Sequence, residues 1–110
     1  MFYLFLVDRF EEIEALATVD ILRRAGIEIT TVGVGGKVIT GSHGIPITAD
    51  ILENEVNLQN ITGVILPGGP GGKNLESSEK VKETVLHCYK NNLWICAICM
   101  APTILNHMNL

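Results

Sequence analysis

The chain has 110 residues, of which 47% are hydrophobic and 18% charged, with a formal net charge of −4. These proportions describe one folded domain with a substantial core and exclude a disordered segment. Only eight Lys and Arg are present and they form no basic run, which argues against nucleic acid or an anionic membrane surface as a partner. No apolar run approaches the roughly 18 residues that span a bilayer. The opening MFYLFLVDRF has no basic n-region and no small-residue cleavage site, so it reads as a strand and not as a signal peptide. Three Cys cannot all pair, and reduced thiols in a cytosol-like, cytoplasmic setting are expected.

Residues 2–7 are a continuous apolar run of strand length, suited to a strand buried on both faces. A helix is expected over residues 11–25, ended by Gly26. Residues 27–34 are β-branched and strand-like, and Gly35-Gly36 suggests a tight hairpin into a strand over 37–40. A short edge strand limited by Pro46 is expected over 45–48. Residues 61–66 form the next buried strand, which Pro67-Gly68-Gly69-Pro70-Gly71-Gly72 breaks. Ser77 or Ser78 can cap a second helix, with Val81, Val85, Cys88 and Tyr89 as its apolar stripe and Asn91-Asn92 as its end. Residues 93–98 are a last buried strand, followed by a sharp turn and a helix from about Met100. Strands alternating with helices imply a mostly parallel α/β sheet, which binds ligands beyond the carboxyl ends of its strands. No stop signal follows the final helix, and four or five strands are few for such a sheet, so a single α/β domain over residues 1–110 that is part of a larger one is expected.

The strongest chemical signal is Ala97-Ile98-Cys99-Met100-Ala101. Small residues two positions either side of a nucleophile, between a buried strand and a helix, form the pattern of a nucleophile elbow. The turn is too cramped for large flanking side chains and pushes its middle residue into a strained, exposed pose. Amides of the following helix favour a thiolate there, and Pro102 fits the first helical turn. The alternative is a buried core cysteine, as most free cysteines are; position and flanks favour the elbow. Cys96 and Cys99 are separated by roughly 10 Å if the chain between them is extended, beyond the roughly 7 Å limit for a disulfide. Neither a redox dithiol nor a zinc site is expected, and Cys88 reads as core.

In the first helix Ile13, Leu16, Ala17 and Ile21 define the expected apolar stripe. Glu14 then falls beside Ala17 and Ile21, while Glu11 and Glu12 point away. An inward carboxylate near the same sheet edge as Cys99 can shuttle a proton or hold the thiolate; equally, the three acids can simply complement the helix dipole. Asp20 is expected to point inward as well. In the glycine run, a backbone amide together with that of Met100 can form an oxyanion hole. The run lacks the Lys-Ser/Thr of a phosphate loop, so no nucleotide is expected. His43, His87 and His107 read as surface or packing residues, with His107 directed away from the elbow.

With these segments in order, the sequence resembles the ThiJ/PfpI family. Glu11-Glu12-Ile13-Glu14 followed by Val19 to Ile27 is similar to that family's first loop and helix. Val64-Ile65-Leu66-Pro67-Gly68-Gly69 is similar to its glycine loop, and Ala97-Ile98-Cys99-Met100-Ala101-Pro102 to its elbow. The resemblance spans all 110 residues, roughly the first three fifths of a typical member. It implies a flavodoxin-like (class I glutamine amidotransferase-like) α/β sandwich, a homodimer, and no cofactor or metal. It maps the family's nucleophilic, oxidisable Cys onto Cys99, its partner Glu onto Glu14, and its oxyanion amides onto Gly69 and Met100. The implied activity is glyoxalase or deglycase chemistry on small 2-oxoaldehydes or their protein adducts. Redox sensing or chaperoning through the same Cys, peptidase activity and a non-catalytic role are the alternatives. Where the family has small residues in its first loop and beside the elbow this chain has Arg9-Phe10 and Met100, and where the family often has an Arg at its dimer-side turn this chain has His43. The family's histidine near the nucleophile corresponds to positions beyond Leu110.

Overall fold

Five parallel strands form the central sheet of the computed structural model, which describes residues 1–110. In chain order the elements are β1 (Phe2–Leu6), α1 (Glu12–Arg24), β2 (Ile29–Gly33), β3 (Val38–Thr40), β4 (Pro46–Thr48) and β5 (Ile51–Leu52). A 3-10 turn (Glu53–Glu55), β6 (Gly63–Leu66), α2 (Gly72–Ser77), α3 (Glu79–Lys90), β7 (Trp94–Ala97) and α4 (Pro102–His107) follow. The sheet order is β5-β2-β1-β6-β7. The chain leaves β1 for β2 on one side and later returns to lay β6 on the other, with Phe2 opposite both Ile29 and Gly63. The crevice beyond the carboxyl ends of β1 and β6 is therefore the topological switch point of an open, flavodoxin-like α/β sheet, where such folds place their ligands.

Alternation along β1 divides the core between the two faces. Tyr3, Phe5 and Val7 join Val64, Leu66, Leu75, Val81, Val85 and Cys88 in one cluster, which α3 covers. Leu4 and Leu6 join Phe10, Ala15, Val19, Ile29 and Ile65 in the other, which α1 covers. Beyond α1 on that second face, an apolar groove of about 390 Å³ remains beside Phe2, Leu22, Trp94, Cys96 and Ile98.

Several local expectations change. The Gly35-Gly36 turn does not close a hairpin, because both edges of β2 are already occupied by β1 and β5. The strand it leads into pairs instead with β4, Val38 opposite Thr48. The two-residue β5 and six-residue α2 add to the expected elements; both are too short for a periodic signal. The final helix starts at Pro102, not at Met100. Ser78, not Ser77, caps α3 by accepting from the Val81 amide. Tyr89 lies outside the α3 stripe at 56% exposure, and Thr84 is buried there.

The largest change is the rotation of α1. Its buried face is Glu12, Ala15 and Val19, while Ile13 and Ile21 are 75% and 62% exposed. Asp20 is also exposed and pairs with Arg24 one turn on. The cause lies at the helix start: the Glu11 amide donates to the Gly68 carbonyl at 3.0 Å, and the Glu12 carboxylate is pulled inward beneath the β3–β4 turn. Those anchors outrank the apolar stripe and leave Ile13, Ala17 and Ile21 as an exposed row.

Candidate active site

Three loops converge at the switch point. After β7, Ile98 makes the last rung by donating to Leu66 O at 3.2 Å, and the Ala101 amide closes a turn onto Ile98 O at 3.0 Å. Cys99, inside that turn, has φ 61° and is exposed. A left-handed backbone costs a non-glycine residue roughly 1–2 kcal/mol, so the turn holds this thiol outward against local preference. The expected small neighbour Ala101 is 2% exposed and packed against the core. Burial and neighbouring Cys96 push the Cys88 thiol up, and burial pushes up that of Cys96.

The glycine run after β6 lies against the loop after β1. The Gly71 amide donates to Arg9 O at 3.2 Å. Gly69 has φ 121°, and a Cβ there would fall 2.6 Å from both Arg9 O and the Glu11 nitrogen, so only glycine serves. The amides of Gly69 and Met100 donate to no acceptor in the protein, and both residues line one cleft.

Glu14 reaches this junction from the first turn of α1. Glu11 caps the helix by accepting from the Ile13 and Glu14 amides at 3.1 and 3.4 Å. Glu14 Oε1 then accepts from the Gly68 amide at 3.0 Å. Gly68 brings acid and thiol together: a Cβ on it would lie 2.6 Å from Glu14 Oε1 and 2.7 Å from Cys99 Cβ. Sequence reading singled out the neighbouring Gly69 and passed over Gly68, whose signal is its place immediately after the proline that ends β6.

Glu12 is the carboxylate that sequence reading misplaced. It is 4% exposed, accepts from the His43 amide at 2.8 Å and from the Ile45 amide at 3.4 Å, and lies 3.1 Å from His43 Nδ1. Burial raises its pKa, but the His43 ring and the amides of Glu12, His43 and Ile45 outweigh that and hold it at about 2, below the ordinary 4.5. Donor atoms of Glu11, Glu12 and His43 lie within 4.8 Å of one another, yet Glu11 is committed to the helix cap and Glu12 to the turn. The grouping is a structural clasp. His107 does not point away from the site: its Nδ1 lies 2.7 Å from Glu76 Oε1, and its ring lines the cleft that holds Gly69 and Met100.

Residues 2–110 match the model of the DJ-1/PfpI family. The chain belongs to that family. It is 36% identical over 97 residues to protein dj-1beta of Drosophila melanogaster, covering 86% of this chain and 52% of the relative. The crystal structure of Drosophila melanogaster DJ-1beta superposes with a TM-score of 0.90 at 32% identity, over 96% of this chain and 57% of that one. A deglycase of Pyrococcus abyssi is 30% identical over 98 residues, 89% of this chain and 59% of its own. A glutathione-independent glyoxalase of Caenorhabditis elegans is 32% identical over 95 residues, 86% and 51%. The chain thus spans about half to three fifths of the length of these relatives, and its fold is the DJ-1/PfpI flavodoxin-like one.

Proposed function

We propose that this DJ-1/PfpI chain carries the nucleophilic half of a cofactor-free active site acting on small reactive carbonyls or their protein adducts. The observation that carries the reading is the meeting of an exposed, left-handed Cys99 with Glu14 across Gly68. The relatives named as a deglycase and a glutathione-independent glyoxalase give the reaction class. The sulfur of Cys99 adds to the aldehyde carbon of a 2-oxoaldehyde; the C–S bond forms and the carbonyl electron pair moves to oxygen, facing the amides of Gly69 and Met100. The thiol proton goes to that oxygen, giving a hemithioacetal; a proton then passes from its carbon to the adjacent carbonyl carbon with Glu14 as carrier, while the hydroxyl proton moves from the first oxygen to the second, leaving a thioester and a neighbouring hydroxyl. Water cleaves the thioester, releasing the 2-hydroxy acid and restoring the thiol. The test is methylglyoxal turnover by wild type, Cys99→Ser and Glu14→Gln; equal rates in all three sink the proposal.

A second reading, redox sensing through oxidation of Cys99, is favoured by one observation: of three thiols it is the exposed one. Peptide mass spectrometry after mild peroxide tests it, and oxidation spread evenly over Cys88, Cys96 and Cys99 counts against it. The exposed row Ile13, Ala17 and Ile21 on α1 supports the homodimer. Three unbridged thiols support a reducing, cytoplasmic setting.

A further inference from the structure

We infer that the cleft between α2 and α4 binds the anionic end of a carbonyl substrate, with Lys73 as the residue that selects it. The inference deepens the reading of Cys99 as the point of attachment and rests on it. The cleft has a volume of about 320 Å³, at the small end of the roughly 300–1,000 Å³ typical of ligand pockets. It opens at the amides of Gly69 and Met100 and is lined further along by Lys73, Glu76, Thr103 and His107.

The free polar groups of that lining are mainly donors. Glu76 is its only carboxylate, and it is committed to His107 Nδ1 at 2.7 Å. That contact fixes the imidazole against Glu76 at one wall of the cleft. Lys73 takes part in no ion pair, whereas Lys80 and Lys82 on α3 are paired with Glu83 and Glu79. The Thr103 hydroxyl also has no partner in the protein. Two free amides, an ammonium and a hydroxyl therefore belong to residues that line one space, and its one carboxylate is hydrogen-bonded to His107. Such a set suits a ligand made of acceptors: a carbonyl oxygen at one end and a carboxylate or phosphate at the other.

Length agrees with this. Along α4, from Pro102 to His107, the chain advances about 7.5 Å at 1.5 Å per residue. A substrate fixed at Cys99 reaches Lys73 and His107 only if its charged group lies several bonds from the carbonyl. A three-carbon neutral aldehyde leaves that end of the cleft to water.

Amide NMR titration tests the inference on the full chain. The probes are 4-oxobutanoate, its neutral methyl ester, and glyceraldehyde 3-phosphate, each added to wild type, Cys99→Ser, Lys73→Gln and Lys73→Arg. Both anionic probes are expected to shift the amides of Gly69, Met100 and Thr103 and to bind at least about tenfold more tightly than the ester, as a charge-assisted hydrogen bond gives. The tighter of the two identifies carboxylate or phosphate as the preferred anion. Lys73→Gln is expected to erase the preference at unchanged melting temperature and Lys73→Arg to keep it. Equal binding of acid and ester, or a preference that survives Lys73→Gln, overturns the inference. Because Cys99→Ser forms no thiol adduct, a preference retained in that variant upholds the cleft even if methylglyoxal turnover fails; turnover without the preference does the reverse.

Discussion

Replacing Gly68 by Ala tests whether one missing side chain holds acid and thiol together. The new methyl carbon would lie 2.6 Å from Glu14 Oε1, 2.7 Å from Cys99 Cβ and 3.1 Å from Ile98 O, all inside the contact distance of roughly 3.5 Å. The Ile98 carbonyl belongs to the turn that also carries the 3.2 Å bond to Leu66, so the backbone has little room to retreat. Glu14 is the atom group that can leave, and its departure gives up the 3.0 Å bond from the Gly68 amide. Overpacking typically costs about 1–3 kcal/mol, and a buried amide left without a partner about 1–3 kcal/mol. Because one relaxation relieves part of both, a net loss of about 2–4 kcal/mol is expected. That lowers the melting temperature by at least about 8 °C, at about 4–8 °C per kcal/mol for a domain near this size. Calorimetry reads this loss, and the rate of iodoacetamide labelling at Cys99 reads the disturbed thiol. Gly72→Ala is the control: nothing lies within 4 Å of its added methyl, and the substitution is expected to be neutral or slightly stabilising. If Gly68→Ala matches that control in both melting and labelling, the account of the junction is wrong.

Glu12 gives the fold an acid limit. Its folded-state pKa of about 2 lies below the ordinary 4.5, so its contribution is complete above pH 4.5 and is lost as pH falls toward 2. Urea denaturation across that window is expected to show declining stability, with a flatter decline in Glu12→Gln; identical slopes would contradict the clasp. Strain at Cys99 predicts that Cys99→Gly is more stable than Cys99→Ala by about 1 kcal/mol, since glycine accepts φ 61° without penalty. Parallel thermal melts decide it. Ser78→Ala removes both the cap on the Val81 amide and the 2.6 Å bond from Ser78 Oγ to Glu53 Oε2. A loss of about 1–2 kcal/mol is expected by chemical denaturation, and no measurable loss refutes the capping role.

Local chemistry determined much of this protein. The elbow was legible because its demands are met within five residues: a buried strand before it, alanines at Ala97 and Ala101, and Pro102 to start the helix. The parallel α/β architecture and the buried strands followed from apolar runs alternating with helical periods, which need no knowledge of partners. What the tertiary structure decided was which side of each element faces inward. On α1 the most apolar stripe was not the buried one, because hydrogen bonds from Glu11 to the glycine loop and from the β3–β4 turn to Glu12 set the rotation. Glu12 is buried because amides from residues 43 and 45 converge on it, and a convergence across some thirty residues leaves no trace in helical periodicity. The same holds for Gly68 and His107. Their importance comes from what other loops place within a few ångströms of them, a property that only the folded chain possesses.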